Sequence, residues 1–385
     1  IGRDTGADGV RTIGVVTVAR SDFGCLRPIL LEIAGRQALR AQLFVAGAHL
    51  SKAHGLTVRE IREEEWPIAL EVQTVTEDTP HGIAVSMGAA LMGFGSGWNA
   101  HRPDAILALG DRFETFCAVA AAAPFRIPVF HLHGGEATEG LYDEAFRHAI
   151  TKMSHVHLVA NEWAGGRIRA LGEEAWRVRV VGAPGLDGIA EFKPIPRAEA
   201  AFLPGAGKFL LVVQHPVTLS GEPARGALAI SRALRRIGMP FLWVGPGADT
   251  GWAYIAANAD APAGRYVAHL PRPQFWTAMA YAEALVGNSS AGIIEAASFG
   301  LPVVNVGDRQ KGRLHVGNVI NAPADADEIT DAIRRATNPD LRCQLNAALG
   351  CGTTRRWVNP YGDGHASARI ADILETEELG ERLLM

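Results

Sequence analysis

The chain has 385 residues, of which 48% are hydrophobic and 20% are charged. This composition excludes a disordered or fibrous protein, and the length favours two or three domains. The formal net charge of −4 gives no sign of a general nucleic-acid or membrane-surface binder. The sequence predicts no membrane span, because no apolar stretch reaches about 18 residues. The four Cys lack the spacing of a disulfide framework or zinc site. We therefore expect a cytoplasmic protein with free thiols.

Short apolar runs alternate with longer helical stretches through the first half of the chain. The predicted strands are Thr12–Val18, Ala41–Val45, Ala105–Leu109, Val129–Leu132 and His155–Val159. The predicted helices among them are Leu26–Leu39, Ile83–Trp98 and Glu114–Ala123. Continuous apolar runs suit strands that are covered on both faces, so the alternation predicts a doubly wound parallel sheet.

The pattern breaks at Gly182–Asp187 and at the Pro-, Ala- and Gly-rich segment Phe192–Lys208, which suggests a domain boundary. It then restarts. The predicted strands are Phe209–Val213, Phe241–Val244, Ala284–Val286 and Pro302–Val306, and the predicted helices are Ala227–Ile237, Ser290–Phe299 and Ala326–Ala336. We expect an α/β protein with Rossmann-like domains over residues 11–188 and 205–365. A helix over residues 366–385 would pack back on the N-terminal domain.

Polar motifs follow several of these strands, where ligands of open parallel sheets bind. Gly287–Glu295 follows one strand and opens a helix, so its Ser hydroxyls and N–H groups could hold an anion while Glu295 accepts from a ribose-like diol. The bland alternative is a Ser N-cap. His215 follows another strand and could donate either to a phosphate or to a turn carbonyl. GxGxxG is missing here and from the first turn, which weakens the case for a redox dinucleotide site.

A second group of motifs carries carboxylates. Asp111 and Arg112 follow a strand and could be a base with its tuning cation, or a helix N-cap. Asp143 and Arg147 are four residues apart on a predicted helix and share one face, which indicates either a site carboxylate held by Arg or a surface pair. Two glycines before Glu136 permit a sharp turn that presents this carboxylate.

Two further possibilities concern metal and phosphate. His131, His133 and Glu136 could form a metal site, but one face of so apolar a strand belongs to a core, and we expect no metal. Arg20 and Arg309 could bind a diphosphate in a bidentate fork, or form surface salt bridges.

Together these motifs resemble the hydrolysing UDP-N-acetylglucosamine 2-epimerases of bacterial sialic acid synthesis and their relatives in legionaminic acid synthesis. The resemblance spans about residues 12 to 365. The runs that carry it are Val18–Gly24, Gly110–Glu114, His133–Glu136, Asp143–Lys152, His215–Thr218, Gly287–Glu295 and Gly307–Gln310. It implies a GT-B architecture with an inter-domain cleft, a UDP-sugar substrate, no cofactor, no essential metal and a homodimer.

The resemblance also implies roles for single residues. Asp111, Glu136, Asp143 and Arg147 would surround the sugar and act in catalysis. The UDP would be held by His215, Ser289, Ser290 and Glu295, with Arg20, Arg112 and Arg309 supplying positive charge. The sequence His133-Gly134-Gly135-Glu136 favours the hydrolysing branch, since non-hydrolysing relatives typically carry His-x-Glu-Ala-Gly. The first loop departs from the family pattern, with Val18 and Ala19 before Arg20.

The implied reaction converts UDP-N-acetylglucosamine to UDP and N-acetylmannosamine by elimination to a glycal, followed by hydration with inversion at C2. The same reaction on UDP-diacetylbacillosamine is the first alternative. A GT-B glycosyltransferase, which would require an acceptor, and a non-catalytic UDP-sugar sensor, which would release no UDP, are the others.

Overall fold

The structure is a computed structural model that describes residues 9–52, 55–74, 79–138, 142–217, 225–245, 264–341, 343–344 and 359–384. The chain divides into two compact units. The first unit contains the chain up to Glu136, Asp143–Asp187 and the C-terminal residues from Gly364 onwards. The second unit contains Ala137–Tyr142 and Gly188–Asp363.

The first unit is a seven-stranded parallel sheet with helices on both faces. Its strands are β1 (Arg11–Thr17), β2 (Leu39–Ala46), β3 (Ile68–Val72), β4 (Ala105–Leu109), β5 (Val129–Leu132), β6 (Val156–Val159) and β7 (Val178–Val180). They lie in the order β3-β2-β1-β4-β5-β6-β7, so successive strands are added on one side up to β3 and on the other side of β1 from β4 onwards. Its helices are α1 (Arg20–Ala34), α2 (Val58–Glu63), α3 (Pro80–Ala100), α4 (Phe113–Ala122), α5 (Asp143–Met153), α6 (Glu162–Ala170), α11 (Ala366–Thr376) and α12 (Glu381–Leu384).

Alternate residues of the central strands enter two separate cores. Ile13 and Val15 pack with α1 and α11 on one face, while Val16 and Phe44 pack with α3 and α4 on the other. Side chains of a strand point to opposite faces in turn, so a strand covered on both sides must be apolar throughout. This is why the central runs were recognisable from the sequence.

The second unit repeats the plan with six parallel strands. They are β8 (Leu210–Val213), β9 (Phe241–Val244), β10 (Gly264–Val267), β11 (Ala284–Gly287), β12 (Val303–Val306) and β13 (Val319–Ala322), in the order β10-β9-β8-β11-β12-β13. Its helices are α7 (Arg225–Ile237), α8 (Arg272–Tyr281), α9 (Ser290–Ile294) and α10 (Ala326–Ala336). Both sheets have the strand order of a Rossmann fold, which confirms the prediction of two parallel-sheet α/β domains.

The C-terminal segment belongs to the first unit. Asp187 accepts hydrogen bonds from the backbone N–H groups of Ala366 and Ser367, at 2.9 and 2.6 Å, and so caps the start of α11. Arg36 pairs with Asp372 and Glu375 farther along this helix. The predicted single helix over residues 366–385 is wrong in one respect, because the backbone leaves the helical conformation at Glu377.

Two other predicted helices need correction. The first helix begins at Arg20 and ends at Ala34 rather than spanning Leu26–Leu39, because Leu39 already belongs to β2. The predicted helix Ser290–Phe299 is the short α9 followed by a 3-10 turn over Ala296–Phe299. Thr218 and Cys351 lie outside the described residues, and Cys25, Cys117 and Cys343 are free thiols. None of the helices in the described ranges is long and apolar enough to cross a membrane.

Candidate active site

The first unit gathers the predicted carboxylates at the carboxyl ends of its strands. After β4, Gly110 turns the chain with a φ of 77°, a conformation that favours glycine. Asp111 follows, and Arg112 is the N-cap residue of α4. Asp111 is therefore not the N-cap residue of this helix, and its side chain makes a different contact.

Arg147 of α5 connects these groups. Its side chain is only 3% exposed. One nitrogen, Nη2, donates to Asp111, and the other, Nη1, donates to Glu144 and, at 3.0 Å, to the backbone carbonyl oxygen of Glu136. Burial lowers the pKa of Arg147, but the surrounding carboxylates of Asp111, Glu144, Glu136 and Asp143 outweigh it, so the net pKa is raised. The guanidinium is thus held charged in a buried position.

The turn that carries Glu136 depends on its glycines. His133 and Gly135 have φ values of 62° and 75°, both in the left-handed region. A Cβ on Gly135 would lie 2.3 Å from the carbonyl oxygen of Ala164, so no side chain fits there. The turn leaves Glu136 only 2% exposed. The role predicted for the two glycines, a sharp turn before Glu136, is what the structure shows.

Asp143 is the first residue of α5, one turn before Arg147, as the spacing predicted. Glu144, the next residue of the same helix, pairs directly with Arg147. Glu144 also accepts from Arg167 at 3.0 Å. Asp143 acts on Arg147 through its charge.

Two acids nearby were not predicted as site residues. Burial raises the pKa of Asp22 to about 6 and that of Glu114 to about 7, although the positive charge of Arg112 opposes both shifts. Glu114 is 5% exposed. His49, also close to Arg112, has its pKa lowered to about 4 by burial. Both acids lie inside the motifs that carry the family resemblance, but nothing in the sequence signals that their pKa values are raised.

The side chain of His131 is buried, and both of its ring nitrogens lie close to polar groups of the protein. Its Nε2 bonds the carbonyl oxygen of Gly110 at 2.8 Å, and its Nδ1 lies 3.3 Å from the hydroxyl of Thr151. Burial lowers its pKa to about 3, so the ring is neutral. Within the described ranges, no three His, Cys, Asp or Glu side chains come together as a group that could hold a metal ion.

In the second unit, Asn288 ties together three loops at the carboxyl ends of strands. Its side chain accepts from the N–H of His215 at 2.6 Å and donates to the carbonyl oxygen of the same residue at 2.9 Å. Its own carbonyl oxygen accepts from Arg309 and from Gln310, at 3.1 and 2.8 Å. Asn288 was not predicted as a site residue, although it fixes the positions of His215 and Arg309. Gly287 permits this close approach, since a Cβ there would lie 2.0 Å from the carbonyl oxygen of Val213.

The Ser pair lies at the start of α9. Ser289 is its N-cap, and the Ser289 hydroxyl accepts from the N–H of Ala291 at 3.3 Å. Ser290 is the first helical residue. Because α9 has only five residues, the argument from a helix macrodipole is weaker than the sequence suggested. Glu295 follows α9 and accepts from the indole N–H of Trp276 at 2.6 Å.

Some predicted residues come together and others do not. Asp111, Glu136, Asp143 and Arg147 form one cluster in the first unit. His215, Arg309 and the Ser289 region share the loops held by Asn288 in the second. Arg20 instead pairs with Glu60 at 3.0 Å on the surface of the first unit, which is the alternative that the sequence left open.

Comparison with known proteins agrees with the motifs. Residues 31–375 match the family model described as UDP-N-acetylglucosamine 2-epimerase. The chain belongs to the UDP-N-acetylglucosamine 2-epimerase family. The resemblance seen in the sequence is therefore confirmed, and the protein is an enzyme of this family.

Two curated relatives match most of this chain. A UDP-N,N'-diacetylbacillosamine 2-epimerase (hydrolyzing) from Legionella pneumophila is 35% identical over 97% of this chain and 98% of its own. A UDP-N-acetylglucosamine 2-epimerase from Neisseria meningitidis serogroup B is 31% identical over 85% of this chain and 88% of its own.

A solved structure shows the same fold. The Neisseria meningitidis UDP-GlcNAc 2-epimerase bound to UDP-GlcNAc superposes with a TM-score of 0.78 at 18% identity, covering 94% of this chain and 99% of that one. The predicted GT-B-like class, with two parallel-sheet α/β domains, is confirmed.

Proposed function

We propose that this enzyme is a hydrolysing 2-epimerase of a UDP-activated 2-acetamido sugar. The products are UDP and the free sugar with inverted configuration at C2. The observation that carries the proposal is the cluster in which Arg147 binds Asp111 and the backbone of Glu136. The name of the Legionella relative, which specifies hydrolysis, supports the hydrolysing branch.

The chemistry needs two proton transfers at C2. Removal of the C2 proton and departure of UDP from C1 give a glycal. Water then adds its oxygen to C1, while an acid delivers a proton to the opposite face of C2. Two carboxyl groups in different positions are required, and each positioned acid or base typically contributes about 10²–10⁴-fold in rate.

We assign these transfers to Asp111 and Glu136. Arg147 binds the Asp111 carboxylate and the backbone of the Glu136 turn, so it holds these two residues close to one another. Asp143 serves the water at C1. The reaction proceeds equally well whether Asp111 is the base and Glu136 the acid, or the reverse.

We assign the UDP to the second unit. His215, Ser289, Ser290 and Glu295 would hold the nucleotide, and Arg309 would supply positive charge. The support is the Asn288 network, which sets His215 and Arg309 on neighbouring loops. Arg and neutral N–H donors stabilise the negative charge that develops on a departing diphosphate.

Two sugars are candidates. UDP-N,N'-diacetylbacillosamine is the one to test first, because it is named for the relative that matches 97% of this chain. UDP-N-acetylglucosamine is the second, as the substrate named by the family and by the Neisseria relative.

Proton NMR in D₂O tests the reaction and the sugar together. Free UDP with a product deuterated at C2 is expected from one of the two sugars. A UDP-linked 2-epimer without free UDP would assign the enzyme to the non-hydrolysing branch. Turnover that appears only with an added acceptor would identify a glycosyltransferase instead.

The variants Asp111→Asn and Glu136→Gln test the assignment of the carboxylates. Each is expected to lower kcat by about 10²–10⁴-fold with UDP affinity retained, because charge is removed without loss of volume. Glu162→Gln is the control, since that side chain is 75% exposed on α6. Wild-type kcat in both cluster variants would refute the assignment.

A further inference from the structure

Trp276 makes a short hydrogen bond to a residue of the nucleotide site. Its indole Nε1–H donates to Oε2 of Glu295 at 2.6 Å. Among the described residues, Trp276 is the hydrogen-bond donor to the Glu295 carboxyl group. Trp276 lies on α8, and Glu295 follows α9, so the bond joins two elements of the second unit.

The indole is locked in place. Trp276 is only 4% exposed. The rings of Phe192 and Phe299 lie against it with centroids at 5.2 and 6.2 Å, and the guanidinium of Arg272 lies 5.0 Å from its ring. A ring held on these sides cannot turn its N–H away, so the direction of the hydrogen bond to Glu295 is fixed before any ligand arrives.

The net pKa of Glu295 is raised, and Trp276 and Arg272 act against this shift without cancelling it. Burial raises the pKa of Glu295, while the positive charge of Arg272 and the hydrogen bond from Trp276 act in the opposite direction. Each oxygen of a carboxyl group has lone-pair sites at which it can accept hydrogen bonds. With one lone-pair site of Oε2 used by Trp276, both oxygens can still accept from two adjacent hydroxyl groups.

We propose that Trp276 is a positioning residue that gives the site its selectivity for ribonucleotides over 2'-deoxyribonucleotides. It does so by fixing the Glu295 carboxylate to accept from both hydroxyls of the ribose diol. This rests on the proposed function, which assigns Glu295 to the nucleotide. A nucleotide without the 2'-hydroxyl leaves one oxygen of this enclosed carboxyl group without its partner, which corresponds to about 10- to 100-fold in affinity.

Calorimetric Kd values for UDP and 2'-deoxy-UDP test the proposal. We expect the wild type to prefer UDP by about 10- to 100-fold. In Trp276→Phe the preference is expected to fall to a few-fold, chiefly because UDP binds more weakly while 2'-deoxy-UDP changes little. With the sugar substrate, KM should rise and kcat should remain within about 2-fold, because uniform binding is lost.

Trp243→Phe is the matched control. Trp243 is fully buried in β9 of the same unit, and its Nε1 has no hydrogen-bond partner among the described residues. This variant removes an N–H and a comparable volume from the core without touching Glu295. Its UDP preference should equal that of the wild type, and a loss of preference here would overturn the proposal by showing that packing alone controls it.

Glu295→Gln separates the two levels of the argument. If it leaves the UDP preference unchanged, the assignment of Glu295 to the ribose fails, and with it this part of the proposed function. If it removes the preference while Trp276→Phe keeps it, the role of Trp276 alone is refuted. In the double variant, Trp276→Phe should have no further effect on the preference.

The isosteric residue β-(3-benzothienyl)alanine at position 276 covers the case in which Trp276→Phe does not fold. It replaces the indole N–H with sulfur and keeps the shape of the ring. Loss of the UDP preference in this protein would support the proposal, and retention would overturn it.

Discussion

Replacing Glu114 with Gln tests whether a buried carboxyl group of the first unit is protonated in the folded chain. Glu114 is 5% exposed, and its Oε2 has no hydrogen-bond partner among the described residues. Burial therefore raises its pKa from 4.5 to about 7. Between these two pH values the folded state holds a proton that the unfolded state has lost. Stability must then fall as pH rises through this window.

The size of the effect follows from the two pKa values. Linkage gives a cost of about 1 kcal/mol at about pH 5 and about 3 kcal/mol at about pH 8. Gln has nearly the same shape and stays neutral, so Glu114→Gln avoids this cost. Relative to the wild type, the variant is expected to gain about 2 kcal/mol of unfolding free energy between the two pH values.

Urea unfolding at both pH values measures this difference. The transition of the first unit is followed in wild type, in Glu114→Gln and in the surface control Glu162→Gln, which should track the wild type at each pH. If the curves for Glu114→Gln and wild type shift in parallel with pH, Glu114 is ionised in the folded chain and the reasoning from burial is wrong.

Two further predictions concern the same unit. Arg147→Met should lower the unfolding free energy by about 2–3 kcal/mol, since it leaves the partly buried carboxylates of Asp111 and Glu144 without their cation. Arg169→Met, which breaks an exposed pair, should cost at most about 1 kcal/mol in the same denaturation assay, and equal losses would contradict this reasoning. Gly135→Ala should lower the melting temperature far more than Gly172→Ala. Both glycines have a positive φ, but only a Cβ at Gly135 would strike the carbonyl oxygen of Ala164. Similar shifts in the two variants would mean that backbone strain alone controls the loss.

The sequence predicted the centre of each sheet and missed its edges. The strands β3 and β7 border the first sheet, and β10 and β13 border the second. None of these four was predicted, whereas every strand between them was. A central strand is covered on both faces and must be apolar at consecutive positions, so it leaves a continuous apolar run. Edge strands such as Gly264–Val267, which is mostly exposed, carry no such run.

For the site, the sequence predicted contacts that depend on helical spacing and missed those that depend on burial. The spacing of Asp143 and Arg147 set both on one face of α5. That Arg147 reaches Asp111, which lies at the end of β4, follows only from the packing of α5 against α4. The raised pKa of Glu114 likewise arises from what covers it, and local sequence does not record this.

The turn after β5 shows how the family motif works physically. Its glycines are needed for packing, since a Cβ on Gly135 would strike the carbonyl oxygen of Ala164. What they allow is a left-handed turn tight enough to bring the backbone carbonyl of Glu136 to Arg147. Because Arg147 also holds Asp111, the turn brings the backbone of Glu136 and the Asp111 carboxylate to the same guanidinium. A substitution in the turn should therefore reduce catalysis even when it leaves the Glu136 side chain unchanged.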